Sequence, residues 1–167
     1  MTEKVYCGID PGYVTGGVAI VSGDWGEVHD LPTFSSGGIN CHELDHILNS
    51  TSIDFVVIEK QGARPMQNVS STFNLAMAYG QILGCLQILG LRHEIHSPHS
   101  WKKNMRVTKD KDYARQLAIQ QFPKLAVDLK LKKHEHRAEA LLLAAYAREL
   151  DSYSMRRVAY ARELDRG

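Results

Sequence analysis

Three stretches of this 167-residue chain carry side chains suited to holding a divalent metal ion. Asp10 closes the apolar run "KVYCGID" just before Pro11-Gly12, and Glu59 falls at the end of "IDFVVIEK". Further on, "KKHEHRAEALLLAA" (132–145) crowds His134, Glu135, His136 and Glu139 around the start of an apolar helix. His136 and Glu139 are three apart and Glu135 and Glu139 four apart, so either pair shares one helix face. Taken singly, each group has a plain explanation. Asp before Pro-Gly is a common turn residue, Glu59 beside Lys60 suits a solvated strand end, and an acidic run with histidines can cap a helix. Taken together, two strand-end carboxylates, a helix carboxylate and an imidazole outline a metal site. Such an oxygen-rich set suits Mg²⁺ or Mn²⁺, and two such ions about 3.5–4 Å apart can activate water and stabilise a leaving oxygen in phosphodiester cleavage. Without a cation the crowded carboxylates would raise one another's pKa. His134 reads as an exposed helix-entry residue.

The elements that must carry these groups can be placed by pattern. "KVYCGID" (4–10), "VTGGVAIVSG" (14–23) and "GEVHDL" (26–31) are strand-like runs joined by tight turns, which predicts an antiparallel meander. "NCHELDHILNS" (40–50) has Leu44, Ile47 and Leu48 at helical spacing and precedes a buried-strand run at 53–60, so a parallel crossover is expected. If the first strand and the 53–60 strand pair in parallel, Asp10 and Glu59 emerge at one sheet edge. From Pro65 to Leu91 there is no charged residue, but polar side chains and Gly80, Gly84 and Gly90 argue against a membrane span. A helix over about 70–89, buried on most sides and meeting a second copy of the chain, is expected instead. "HEIHS" (93–97) reads as a strand, "SPHSWKKNM" as a Ser-Pro helix entry, and "DKDYARQLAIQQF" (110–122) as a surface helix stopped by Pro123. A last helix starts near His136, and "AYARELD" occurs at both 145–151 and 159–165.

Composition excludes several classes. The cysteines Cys7, Cys41 and Cys85 form no C-x-x-C pair, which argues against a disulfide framework or a thiolate zinc site and for a reducing, cytoplasmic setting. The N-terminus has no signal-peptide pattern. Net charge is +1, yet residues 1–100 hold ten acidic and four basic side chains, whereas 101–137 hold eleven basic and four acidic. A basic segment of this kind suits a polyanion such as nucleic acid, or simply a solvated helix surface.

With "GIDPG", "VVIEK", "YGQILG" and "HRAEALLLA" in this order, the chain resembles the RuvC family of Holliday-junction resolvases, in the RNase H-like superfamily, over about residues 4–150. "EKQGARPMQNVSSTFNLAMAYGQ" and "WKK" place it nearest the phage and prophage branch. The resemblance implies an α/β, RNase H-like fold with a five-stranded mixed sheet, three antiparallel N-terminal strands then parallel ones, flanked by helices. Residues 1–152 would form the nuclease domain and 153–167 a C-terminal helical tail. It implies a homodimer, joined through the 70–90 helix, that binds branched DNA and nicks opposing strands of four-way junctions with two Mg²⁺ or Mn²⁺ ions, leaving 5′-phosphate ends.

Carried over by motif, Asp10, Glu59 and Glu139 are the catalytic carboxylates. His136 stands where many members have Asp and some have His, and Glu135 is its rival as a ligand. A Glu at the last position reaches one methylene further than the Asp of many members, and the imidazole shifts preference toward Mn²⁺. Lys102, Lys103, Arg106, Lys109 and Lys111 occupy the region that touches scissile-strand phosphates, with Lys102 and Lys111 near the chemistry. Arg64 would grip a phosphate or stack on a base, while Met66 and Phe73 would wedge into the junction centre, Phe73 suiting the core equally well. Trp101 reads as a helix anchor or, less often, a base-stacking platform. The alternative is a branched-DNA-binding protein with weak or no cleavage. "GIDPG" also loosely resembles the first phosphate loop of actin-like sugar kinases, but the second Asp-Gly loop and Gly-Gly adenosine motif of those longer chains are missing.

Overall fold

A computed structural model describes residues 3–108 and 110–164, without the side chains of Lys111 and of residues 157–164. Lys109 lies outside the described residues. Strands β1 (Tyr6–Asp10), β2 (Gly17–Ser22) and β3 (Trp25–Asp30) form the expected antiparallel meander. The β2–β3 turn needs a left-handed residue, and Gly23 supplies it at φ 54°. Helix α1 (Cys41–Leu48), capped by the Asn40 side chain on the Glu43 N–H, crosses to β4 (Phe55–Glu59), which pairs with β1 in parallel. Helix α2 (Val69–Ile88) then leads to β5 (His93–His96), parallel to β4, giving the sheet order β3-β2-β1-β4-β5. This is the mixed five-stranded sheet expected from the sequence.

The two sheet faces bury different sets of side chains. Cys7, Ile9, Val18, Ile20, Val56 and Ile58 face α1 and α2, whereas Tyr6, Ala19, Val21, Phe55 and Val57 face the second layer. That layer is centred on α6 (Glu135–Leu164), which lies across the sheet. Its outer side is covered by α3 (Pro98–Asn104), α4 (Lys111–Gln121) and α5 (Ala126–Leu129), so Ala140–Ala147 are all buried. Helix α4 presents Ala114 and Ala118 to this core and leaves Tyr113 exposed; Leu117 and Ile119 are only partly buried. Helix α2 buries only Ala78, Ile82 and Leu86, and exposes Val69, Phe73, Met77 and Ile88. The expectation of a helix buried on most sides is therefore corrected within one chain, because the sheet covers α2 from one side alone. Among the described residues no helix is long and apolar enough to cross a membrane.

Two glycines let α6 lie against the strands. A methyl group on Gly8 would collide with the Ala140 carbonyl and the Ala144 N–H, and one on Gly17 with the His136 carbonyl. Both clashes are with helix backbone, which cannot rotate away. Any side chain at either position would push the first turns of α6 off the sheet.

The first "AYARELD" copy owes its residues to packing. Tyr146 and Ala147 are core residues, Arg148 donates to the Gly23 carbonyl at 3.2 Å, and Asp151 is buried at 3% exposure. Asp151 accepts from Lys4 Nζ at 2.7 Å, Arg92 Nη1 at 2.8 Å and the Tyr6 hydroxyl at 3.2 Å. Burial alone would raise its pKa, but the Lys4 and Arg92 bonds outweigh it and hold the carboxyl below its ordinary value. An Asp151→Asn variant should lose about 2 kcal/mol at pH 7, a fall of roughly 4–8 °C in melting temperature for a chain of this size. The carboxylate's stabilisation is complete above the unfolded pKa and fades as pH falls through the lower folded value, so thermal melts of variant and parent should converge in acid. Of the second copy, the side chains of 159–164 and the whole of residue 165 lie outside the described set.

Candidate metal centre

Asp10 and Glu59 are brought together by strand register. β1 and β4 run parallel with Ile9 opposite Ile58, so the next residue on each strand is Asp10 and Glu59, both at the C-terminal edge. Strand alternation puts them on the face of Gly8 and Val57, toward α6. Asp10 is 5% exposed and Glu59 6%. From above, α6 brings Glu139, and one carboxylate oxygen from each of the three lies within 4.8 Å of the others.

His136, one turn earlier on α6, places Nδ1 2.7 Å from Asp10 Oδ2. Its other ring nitrogen is 3.6 Å from Glu135 Oε1. The imidazole thus meets Asp10 directly, beside the three-oxygen cluster, and Glu135 stands on the far side of the ring. Arg137 grips Asp30 at the end of β3 with two bonds of 2.6 and 2.7 Å, which ties the first turn of α6 to the sheet.

The electrostatics match an acidic pocket built for a cation. Burial pushes the Asp10 carboxyl above its ordinary value; the His136 hydrogen bond opposes this and the Glu139 charge adds to it. Burial, then the charge of Asp10, pushes Glu59 up to about 7 even though Trp101 donates a hydrogen bond to it. Lys102 reaches in from α3, with Nζ 2.8 Å from Glu139 Oε1. One ammonium neutralises one carboxylate of three. A hard divalent cation held by Asp10, Glu59 and Glu139 fits this donor set, since carboxylate oxygens are the preferred ligands of Mg²⁺ and Mn²⁺.

Lys103 is exposed in the last turn of α3, Arg106 is exposed in the turn just beyond it, and Arg64 is exposed on the loop after Glu59. Lys111 begins α4, and its side chain is outside the described set. Met66 and Phe73 are both exposed. His134 is a correction: it is buried, at 7% exposure, because the short 3₁₀ turn Lys132–His134 folds the ring inward near Asp30 and Arg137. Trp101 is fully buried, which removes the stacking role. Sequence reasoning missed its other property, an indole N–H donated to Glu59 Oε2 at 2.7 Å. The signal was available in part, since a buried indole must find an acceptor.

No family model and no curated protein matches the chain. Solved structures do. Thermus thermophilus RuvC, in complex with a Holliday junction substrate, superposes with a TM-score of 0.62 at 19% identity, over 88% of this chain and 96% of that one. The chain has the RNase H-like fold of RuvC. Fowlpox virus resolvase, in complex with Holliday junction DNA, aligns with a TM-score of 0.56 at 16% identity, over 86% of this chain and 98% of that one. The yeast mitochondrial Holliday junction resolvase Ydc2 aligns with a TM-score of 0.58 at 13% identity, over 91% and 84%. On the RuvC-like frame the acidic cluster sits at the carboxyl ends of β1 and β4, where α/β sheets commonly bind ligands.

Proposed function

We propose that this protein is a metal-dependent, structure-selective DNA endonuclease of the Holliday-junction resolvase type, of the phage and prophage branch, working in the cytoplasm. The observation that carries this reading is the cluster of buried Asp10 and Glu59 with half-buried Glu139 at the strand ends of a resolvase fold. These three residues would hold the ions, with His136 completing the set beside Asp10 and Glu135 as the rival fourth position. Bound there, two Mg²⁺ or Mn²⁺ ions would activate water and stabilise the leaving oxygen of a phosphodiester, giving 5′-phosphate ends.

The chain's own groups would do the rest. Lys102, released from Glu139 when a cation takes over its charge, would reach a scissile phosphate oxygen. Lys103, Arg106, Lys109, Lys111 and Arg64 would hold the flanking backbone. Met66 and Phe73, exposed beside the Arg64 loop, offer apolar side chains to the unpaired centre of a junction. A homodimer through α2 is supported by the exposed Val69, Met77 and Ile88, and by open space over Gly80 and Gly84. Two symmetric sites would then meet two opposing strands.

The test is a labelled four-way junction beside a fork and a linear duplex, in Mg²⁺, Mn²⁺ and EDTA. Paired nicks on the junction are expected with either metal, faster with Mn²⁺, and none in EDTA. Tight junction binding without nicking in either metal would identify a branched-DNA-binding module instead.

A further inference from the structure

We propose that Trp101 is the positioning residue of the metal centre: its indole holds Glu59 in the orientation that meets Asp10 and Glu139, and so sets how tightly and how selectively the divalent ion is bound. This rests on the reading of Glu59 as a ligand. Glutamate is a poor ligand to leave alone, because three side-chain torsions let its oxygens wander. Here one oxygen is anchored by a bond of 2.7 Å from a donor that has nowhere else to go. The indole is fully buried, part of the core cluster between the sheet and α6.

The backbone fixes the indole as firmly as the core does. His96, the last residue of β5, is the register partner of Glu59. The next residue, Ser97, caps α3 by accepting from the Ser100 N–H, and Pro98 starts the helix. Trp101 follows one turn later. Glu59 and its donor are therefore joined through a strand ladder and a capped first turn, without an intervening loop. The adjacent Lys102 carries the bond to Glu139, so one short helix addresses two of the three carboxylates.

Outer partners that orient a metal ligand are typically worth 10–100-fold in affinity or activity. Trp101→Phe removes the donor and keeps most of the ring. It should raise the half-saturating concentration of Mg²⁺ by about 10–100-fold, and that of Mn²⁺ by less, because Mg²⁺ demands near-ideal octahedral geometry. Nicking at saturating Mn²⁺ should return to within a few-fold of the parent rate, which a collapsed or misfolded site would not allow.

An arm that needs no variant uses the two indole N–H resonances of this chain. Trp25 is 48% exposed, so its signal should exchange quickly with solvent and ignore Mg²⁺. The Trp101 signal should be protected and should move on Mg²⁺ addition. Unchanged half-saturation for both ions in Trp101→Phe, or a Trp101 resonance that Mg²⁺ leaves in place, overturns the proposal. If the variant does not fold, the resonance decides. A parent protein that binds Mg²⁺ but nicks nothing defeats the nuclease reading, while Trp101 is still judged on metal affinity; one that binds neither ion defeats both.

Discussion

Asp10→Asn should abolish junction nicking, by about a thousandfold or more, and at the same time raise the melting temperature of the metal-free protein. The two effects share a cause. Asp10 is buried beside Glu59 and Glu139, and burial holds its pKa above the ordinary value. A folded-state pKa that is raised means the native state binds protons more readily than the unfolded chain. Stability contributed by this group is therefore highest in acid and falls as pH rises through the raised value. At pH 8 the full penalty of the buried charge is present, and Asn removes it while keeping an oxygen for His136. A rise in melting temperature is expected at pH 8, shrinking toward pH 4 as the parent carboxyl takes up its proton. Junction binding should persist. A variant that nicks normally, or one that melts lower at pH 8, contradicts the assignment.

The second large effect is the reversal of this penalty by metal. Glu59, pushed up to about 7 chiefly by burial and by Asp10, holds a proton in the folded state that the unfolded chain releases near the ordinary glutamate value of 4.5. Metal-free stability should therefore fall between about pH 4.5 and 7, by up to roughly 3 kcal/mol. Ligands must lose their protons to bind, so metal affinity rises over the same range. With Mn²⁺ near a hundred times its dissociation constant, stabilisation of about 2.7 kcal/mol is expected, equal to roughly 5–10 °C at pH 8. At pH 5.5 the shift should be small. Glu59→Gln should flatten the metal-free pH profile and remove most of the Mn²⁺ shift. Thermal melts at a series of pH values, with and without Mn²⁺, read both effects, and a Mn²⁺ shift independent of pH would argue that the ion binds elsewhere.

Much of this site can be read from local pattern because strand and helix periods are local. Asp10 and Glu59 end two apolar runs, and once a helical crossover makes those strands parallel, a shared edge follows from chain topology. His136 and Glu139 share a helix face by spacing alone. The turn, strand-end and helix-cap readings treat each residue alone, whereas the structure brings the three carboxylates within 4.8 Å of one another. His134 shows the limit in the other direction: an entry residue by pattern, it is buried because a 3₁₀ turn rotates it inward.

Residue type and period alone carry the antiparallel meander of the first three strands, the acidic candidates at the strand ends and on the last helix, and the basic segment 101–137. The bonds from Trp101 to Glu59, from Lys102 to Glu139 and from Arg137 to Asp30 emerge only once the chain is folded. Folding also gives Gly8 and Gly17 their meaning, as the places where helix backbone rests on strand backbone. These are contacts between segments distant along the chain, and no local period encodes them. They follow from where α3 and α6 dock, which is set by packing the whole core at once.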